Sequence, residues 1–205
     1  VDTLGVVLAG GRGSRLAAGV PKAHATLLGR TLLARAVATL ETLCDAVVVA
    51  APADLPLGAF EALRATDPPH AAGPLAGLVA GLGVHAHGRA LVLGVDFPLI
   101  TGAHLASLRD QLGRSAAPAV APCPAGVMQP LVSALLGAAA EPLAAALANG
   151  ERSPAAAFTA LGVERLDDAA LATLGVPVAA FLNVNAPADL EAAARALVRR
   201  GASAA

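Results

Sequence analysis

The sequence predicts an α/β protein with a mostly parallel central sheet and helices on both faces. Short apolar runs alternate with helix-length amphipathic stretches, the pattern such a sheet imposes. The first run, Leu4–Ala9, passes directly into a glycine-rich segment. The third, Ala90–Val95, ends at Asp96-Phe97-Pro98. With 205 residues the chain can bury a core without disulfide or metal, and one domain over 1–205 is expected.

Taken in order, Leu4–Ala9 (LGVVLA) reads as a buried strand, Thr31–Leu43 as a helix, and Ala46–Ala51 as a second strand ending at Pro52. Leu57–Arg64 reads as a helix, and Pro74–His85 as another with proline in its first turn. Ala90–Val95 is the third strand and Ala103–Leu112 a helix. Ala119–Pro122 and Pro130–Ala134 are short and flanked by proline, which suits strands near a sheet edge. Glu141–Asn149 is a helix closed by Gly150, and Pro154–Leu161 another. Val163–Leu166 and Val178–Leu182 are strand candidates. Pro187–Arg200 closes the fold, starting at Asn185 or Ala186 and carrying arginines where the helix dipole favours them. The tail from Gly201 is expected to fray.

Composition excludes several classes of function. A net charge of −1 and pI near 6.6 argue against a protein that coats nucleic acid or an anionic membrane. Trp and Tyr are absent and Phe occurs four times, so base-stacking platforms and aromatic belts are not expected. The mean hydropathy of +0.67 owes much to 54 alanines. The longest uncharged run, Ser115–Ala140, is broken by four prolines, whereas a spanning helix needs about 20 continuous apolar residues. The chain opens on a strand-like run without a basic-then-apolar leader, and a cytoplasmic location is expected. Cys44 and Cys123 stand alone and read as small buried side chains in a reducing compartment.

The chemistry concentrates in four segments. Leu8-Ala9-Gly10-Gly11-Arg12-Gly13-Ser14-Arg15, followed by Pro21-Lys22, ends a strand in glycines that let backbone N–H groups approach an anion. Arg12, Arg15 and Lys22 add positive charge, which together suits a nucleoside triphosphate. Lys22 is the sole lysine beside 13 arginines, a compact ammonium in the loop where it could follow a phosphate, or the chance position of one leftover lysine. The P-loop pattern is absent, and the dinucleotide fingerprint is half met: Gly11 and Gly13 fit, Leu16 does not, and the second strand ends in Ala50-Ala51 without an acidic residue.

Asp96 should project from the carboxyl edge of a central strand, where open α/β sheets bind ligands. A lone carboxylate there suits Mg²⁺ shared with substrate phosphates, and it also suits an ordinary turn before proline. Asp67, in Asp67-Pro68-Pro69, is a weaker case of the same kind. Gly73-Pro74-Leu75-Ala76-Gly77 opens a helix either against a nucleotide or against the sheet. Asn183 and Asn185, one residue apart at a strand end, would point to the same side. Two co-facing amides can recognise a heterocycle or phosphate; equally, Asn185 can cap a helix and Asn183 form a turn. His24 follows Lys22 into the same loop, whereas His70, His85, His87 and His104 read as surface or turn residues.

Leu8-Ala9-Gly10-Gly11 with Arg15 and Pro21-Lys22 resembles the nucleotide signature of the α/β nucleotidyltransferases. With Gly73-Pro74-Leu75-Ala76-Gly77, Asp96-Phe97-Pro98 and Asn183-Val184-Asn185-Ala186-Pro187, the chain resembles the molybdenum cofactor guanylyltransferase (MobA-like) family across Leu8 to Leu190. The resemblance implies a Rossmann-like, nucleotide-diphospho-sugar-transferase-like fold, with a nucleotide-binding half over 1–100 and an acceptor half over 101–200. It implies that Leu8, Ala9, Gly10 and Gly11 lie along the nucleotide, that Lys22 meets its phosphates, and that Asp67 meets the nucleoside. Asp96 would hold Mg²⁺, with Mn²⁺ as the alternative ion, and Asn183 and Asn185 would face the acceptor, a pterin, or the guanine side of the pocket. Arg15, Lys22 and Asp96 would be the catalytic set. Ala186 stands where the family usually has Thr.

The implied reaction is attack by a terminal phosphate of the molybdopterin (molybdenum) cofactor on the α-phosphorus of GTP, releasing pyrophosphate. The partners expected are GTP, that cofactor and other cofactor-assembly proteins, with neither nucleic acid nor membrane. Three rivals are a CTP-dependent cytidylyltransferase on the same or another phosphorylated acceptor, an NAD-binding oxidoreductase, and a nucleotide-binding assembly partner without catalysis.

Overall fold

The computed structural model describes residues 1–10, 21–58, 63–66 and 72–203. Its frame is a seven-stranded sheet: β1 (Thr3–Leu8), β4 (Ala46–Ala50), β5 (Leu63–Ala65), β6 (Arg89–Gly94), β7 (Ala119–Pro122), β8 (Val132–Leu136) and β9 (Glu164–Leu166). The spatial order is β5-β4-β1-β6-β8-β7-β9. β1 lies between β4 and β6, parallel to both, and β5 extends the parallel set. β8 runs antiparallel to β6 and β7 on either side, and β9 returns parallel to β7. A separate two-stranded ribbon pairs β2 (Thr26–Leu27) with β3 (Arg30–Thr31).

Because side chains alternate along a strand, β1 feeds two cores. Val7, with Ala9 just past the strand, joins one cluster, and Leu4, Val6 and Leu8 join the other. The first cluster is covered by α1 (Leu32–Glu41), α3 (Gly102–Leu112), α6 (Asp168–Thr173) and α7 (Pro187–Ser203). The second is covered by α2 (Pro74–Leu82), α4 (Ala140–Ala148) and α5 (Pro154–Leu161). The expected mostly parallel sheet with helices on both faces is therefore the fold observed.

Local chemistry sets the helix starts. Thr31 caps α1 by accepting from the Ala34 N–H at 3.1 Å, and Leu33, Val37 and Leu40 follow at helical spacing into the core. Thr101 and His104 form a reciprocal capping box at α3. Ser153 caps α5, with Pro154 in its first turn, and Asp167 caps α6.

Several expectations are corrected. Leu63 and Arg64 belong to β5, not to the end of a helix over Leu57–Arg64; residues 59–62 lie outside those described. Parallel pairing with β4 decides the matter, reinforced by the Arg64 guanidinium donating to the Pro52 and Leu55 carbonyls. Val178–Leu182 is no strand: Val178–Phe181 form a 3₁₀ turn, because Pro177 starts it and its carbonyl accepts from the Ala180 N–H at 2.8 Å. β7 and β8 do lie near a sheet edge, just inside β9, though each has a neighbour on both sides; Pro122 is the last residue of β7, opposite Leu166, and Pro130 precedes β8. α6 and the β2–β3 ribbon were not expected.

Helix and sheet approach closely at Gly81 of α2, where a Cβ would lie 2.6 Å from Val6 Cγ1. Val6 is fully buried in the central strand and cannot retreat. Alanine would gain up to about 1 kcal/mol of helix propensity but overpack the contact by roughly 1–3 kcal/mol. Gly81→Ala is expected to lower the urea unfolding midpoint, and Val6→Ala in the same chain to recover part of the loss. A Gly81→Ala protein as stable as the parent would contradict this packing.

Candidate functional site

The carboxyl ends of β1 and β6 lie side by side. The Val95 N–H donates to the Leu8 carbonyl at 3.1 Å, and the Ala9 N–H donates to the Ala50 carbonyl of β4 at 2.9 Å. Leu8 and Ala9 are buried, and their backbone is partly engaged in these ladders. Gly10 is the first exposed residue beyond the strand. A Cβ there would lie 3.1 Å from Pro52 Cδ, so glycine suits this close approach. Gly11, Arg15 and Asp67 lie outside the described residues.

Lys22 begins a short 3₁₀ turn, Lys22–His24, whose first residue is braced by the His24 N–H donating to the Pro21 carbonyl at 2.9 Å. Its ammonium donates to Asn185 Oδ1 at 2.6 Å and stands 4.0 Å from Asp96 Oδ2. The Lys22 and Asp96 side chains are 12% and 18% exposed, so the pair is sheltered yet reachable. His24, expected in the same loop, turns away and bonds the Pro56 carbonyl.

Asp96 sits two residues beyond β6, as its position after an apolar run predicts. Gly94 makes the placement feasible: a Cβ there would be 2.5 Å from Asp96 Oδ1. The carboxylate thus folds back over a residue that lacks a side chain. Burial pushes the Asp96 carboxyl above the usual carboxylate range, while the Lys22 ammonium and a hydrogen bond from the Asn183 amide pull it down. Asn183 Oδ1 is buried and has no hydrogen-bond partner among the described residues.

Asn183 and Asn185 therefore converge on one site, as the spacing predicts, although their backbone is not a strand. Three main-chain contacts hold the segment. The Val184 N–H donates to the Asp96 carbonyl at 2.8 Å, and the Asn185 and Ala186 N–H groups donate to Asp189 Oδ2 at 2.9 and 2.8 Å. Val184 is fully buried, which pins the segment between the two amides. The bonds from Asn185 and Ala186 hold the exposed Asp189 carboxyl below the usual range. The helix start is thus capped from inside by Asp189, not by the Asn185 side chain. Asp189 was missed by the sequence reading; an acid three residues after Ala186 at a helix opening was the available signal.

The Asp96 carboxylate is a hard oxygen donor, and the Asn183 amide bonded to it carries a second oxygen with no partner among the described residues; both are of the kind that suits a divalent cation such as Mg²⁺. Among the described residues, no group of three or more His, Cys, Asp or Glu side chains could hold a metal. An ion on Asp96 would therefore take its remaining ligands from this amide, from substrate phosphates and from water. Positive, negative and amide groups meet within one sheltered patch at the carboxyl edge of the sheet. That combination suits a metal-chelated polyphosphate.

An open groove of about 560 Å³ is lined by Leu99, Gln129, Phe181, Arg199 and Leu182, the residue before Asn183. No helix among the described residues is long and apolar enough to cross a membrane. Cys44 and Cys123 are both free thiols, and burial pushes Cys44 up to about 12.

Comparisons with known proteins agree with this architecture. The chain is 36% identical over 139 residues to a protein of Chloroflexus aggregans named "probable molybdenum cofactor guanylyltransferase", covering 63% of each. It is 35% identical over 96 residues to the molybdenum cofactor guanylyltransferase of Desulfosudis oleivorans, covering 47% of each. The matches thus span about half to under two thirds of these curated relatives. The crystal structure of molybdopterin-guanine dinucleotide biosynthesis protein A from Archaeoglobus fulgidus superimposes with a TM-score of 0.80 at 24% identity, covering 96% of this chain and 99% of that one. The 2-C-methyl-D-erythritol 4-phosphate cytidylyltransferase of Thermus thermophilus gives 0.69 at 22% identity, covering 95% and 98%. These two establish a shared fold. Residues 5–167 match the MobA-like NTP transferase domain, and the chain belongs to that family.

Proposed function

We propose that the protein transfers GMP from GTP to the molybdopterin (molybdenum) cofactor and releases pyrophosphate. The observation that carries this reading is the meeting of Lys22 and Asp96, 74 positions apart in sequence, at the carboxyl edge of β1 and β6. Family membership and the names of the two curated relatives support the choice of nucleotide and acceptor.

In this reading a terminal phosphate oxygen of the acceptor attacks the α-phosphorus of GTP. The bond from that phosphorus to the bridging oxygen breaks, and the electron pair leaves with pyrophosphate. The protein supplies no covalent nucleophile; orientation and charge carry the step. Lys22 contacts the phosphates and neutralises charge as the bond to pyrophosphate lengthens. Asp96, with the Asn183 amide bonded to it, would hold Mg²⁺ or Mn²⁺, which when bound polarises phosphoryl oxygens as a Lewis acid. The exposed Gly10 lets the nucleotide approach the end of β1, and Gly11, Arg15 and Asp67 are assigned to the same nucleotide. The Asn183 side and the adjoining groove receive the acceptor. The two halves, 1–100 and 101–200, then serve nucleotide and acceptor respectively within one domain. Free thiols at both cysteines fit a reducing cytoplasm.

Three outcomes test the reading. In a thermal-shift panel of GTP, CTP, ATP, UTP and NADH with Mg²⁺, GTP is expected to raise the unfolding temperature most, by mass action. A larger shift with CTP would move the chemistry to cytidylyl transfer, and a shift with NADH alone would overturn it. Lys22→Ala is expected to lower GTP-dependent pyrophosphate release about 100-fold or more, and Asp96→Asn to abolish its metal dependence. Normal release by both variants would contradict the site. Gly94→Ala is expected to displace the Asp96 carboxylate and cut turnover sharply while leaving the urea midpoint near that of the parent. Full activity in Gly94→Ala would show that the carboxylate position does not matter.

A further inference from the structure

The Lys22 side chain is held from the opposite end of the chain. Its partner, Asn185, lies 163 residues away, and the 2.6 Å contact uses the amide oxygen. That oxygen is therefore engaged before any acceptor arrives. Asn185 is itself held by its own N–H, which donates to Asp189 in the first turn of α7, and by the neighbouring Val184 N–H on the Asp96 carbonyl. Each link of this chain of contacts is local and directional: α7 orients Asp189, Asp189 fixes the Asn185 backbone, and the Asn185 amide fixes the amine. Within the turn that carries Lys22 the backbone bonds are local, from the His24 N–H to the Pro21 carbonyl and from the Ala25 N–H to the Lys22 carbonyl, and neither reaches the ammonium.

We propose that Asn185 is a positioning residue for Lys22, oriented through Asp189, and not primarily an acceptor-binding group. The start of the C-terminal helix then sets where the ammonium stands relative to Asp96, and so where a triphosphate is gripped. A long lysine side chain free to sample many rotamers loses that freedom on meeting phosphate. Asn185 removes much of this cost beforehand, because the amine is already directed into the site. A neutral amide suits the task better than a carboxylate. It accepts from the ammonium without neutralising it, so the full positive charge remains for phosphate. The inference rests on the nucleotide-binding reading above for its purpose, but the tie itself can be observed without any substrate.

Lys22 is the only lysine in the sequence, so labelling lysine with ¹³C and ¹⁵N gives a single side-chain signal. In the full-length protein without ligand, the two protons on its terminal methylene are expected to be inequivalent, because the amine is held. Asn185→Ala should merge and narrow them, whereas Asn185→Asp, which keeps an oxygen acceptor, should leave them apart. By calorimetry without acceptor, Asn185→Ala should weaken binding of GTP with Mg²⁺ roughly tenfold, the loss expected for one hydrogen bond to a charged group. Adding Asn185→Ala to Lys22→Ala should weaken it no further, since the two residues act as one unit. A lysine signal unchanged in Asn185→Ala, or unaltered GTP affinity in that variant, would overturn the proposal. If the parent protein shows the held lysine but binds no GTP, the nucleotide reading fails while the tie between Asn185 and Lys22 stands.

Discussion

The Val184 N–H bond to the Asp96 carbonyl joins the C-terminal segment to the chain just beyond β6, and the site depends on this join. It brings Asn183 onto the Asp96 carboxylate and Asn185 onto the Lys22 amine from one short stretch of chain. Without it the sheet keeps a core on each face, but Asn183 and Asn185 need not meet Asp96 and Lys22. The buried Val184 side chain and the Asp189 cap on either side make the join directional. Its strength comes from geometry shared among several modest bonds, each worth about 1 kcal/mol, not from one strong contact.

Opposing electrostatic effects balance at the centre. Burial disfavours a charged Asp96, and the ammonium and amide beside it favour the charge. At 4.0 Å, Lys22 and Asp96 attract without closing into a short ion pair. Both groups therefore remain open to larger charges of opposite sign, phosphate for one and a divalent ion for the other. Gly94 is the steric condition for this balance, because any side chain there would occupy the space that the carboxylate takes.

Much of the fold was legible in sequence because parallel strands buried on both faces leave continuous apolar runs, and β1, β4 and β6 do so. Asp96 was legible for the same reason: it directly follows such a run. The failures have physical causes. β5 is three residues long and exposes Leu63, so its identity is set by pairing with β4 and not by periodicity. Val178–Phe181 has a strand-like composition, but a proline-led turn forms there instead. The convergence of Asn183 and Asn185 was anticipated from strand alternation, and it arises from backbone pinned by Val184 and Asp189. Their targets could not be read in advance, since Asp96 and Lys22 are remote in sequence and only the packing of α7 brings them near. Gly94 was hidden for another reason: its role is to leave space, and a lone glycine in an apolar run gives little signal.

The central claim is that one metal-chelated triphosphate bridges Lys22 and Asp96. The most direct measurement is a crystal structure with Mn²⁺ and a non-hydrolysable GTP analogue, locating the ion by its anomalous scattering. The account predicts a manganese peak coordinated by the Asp96 carboxylate, with phosphate oxygens shared between that ion and the Lys22 amine. Manganese and triphosphate bound away from Asp96, with no phosphate oxygen on the Lys22 amine, would contradict it.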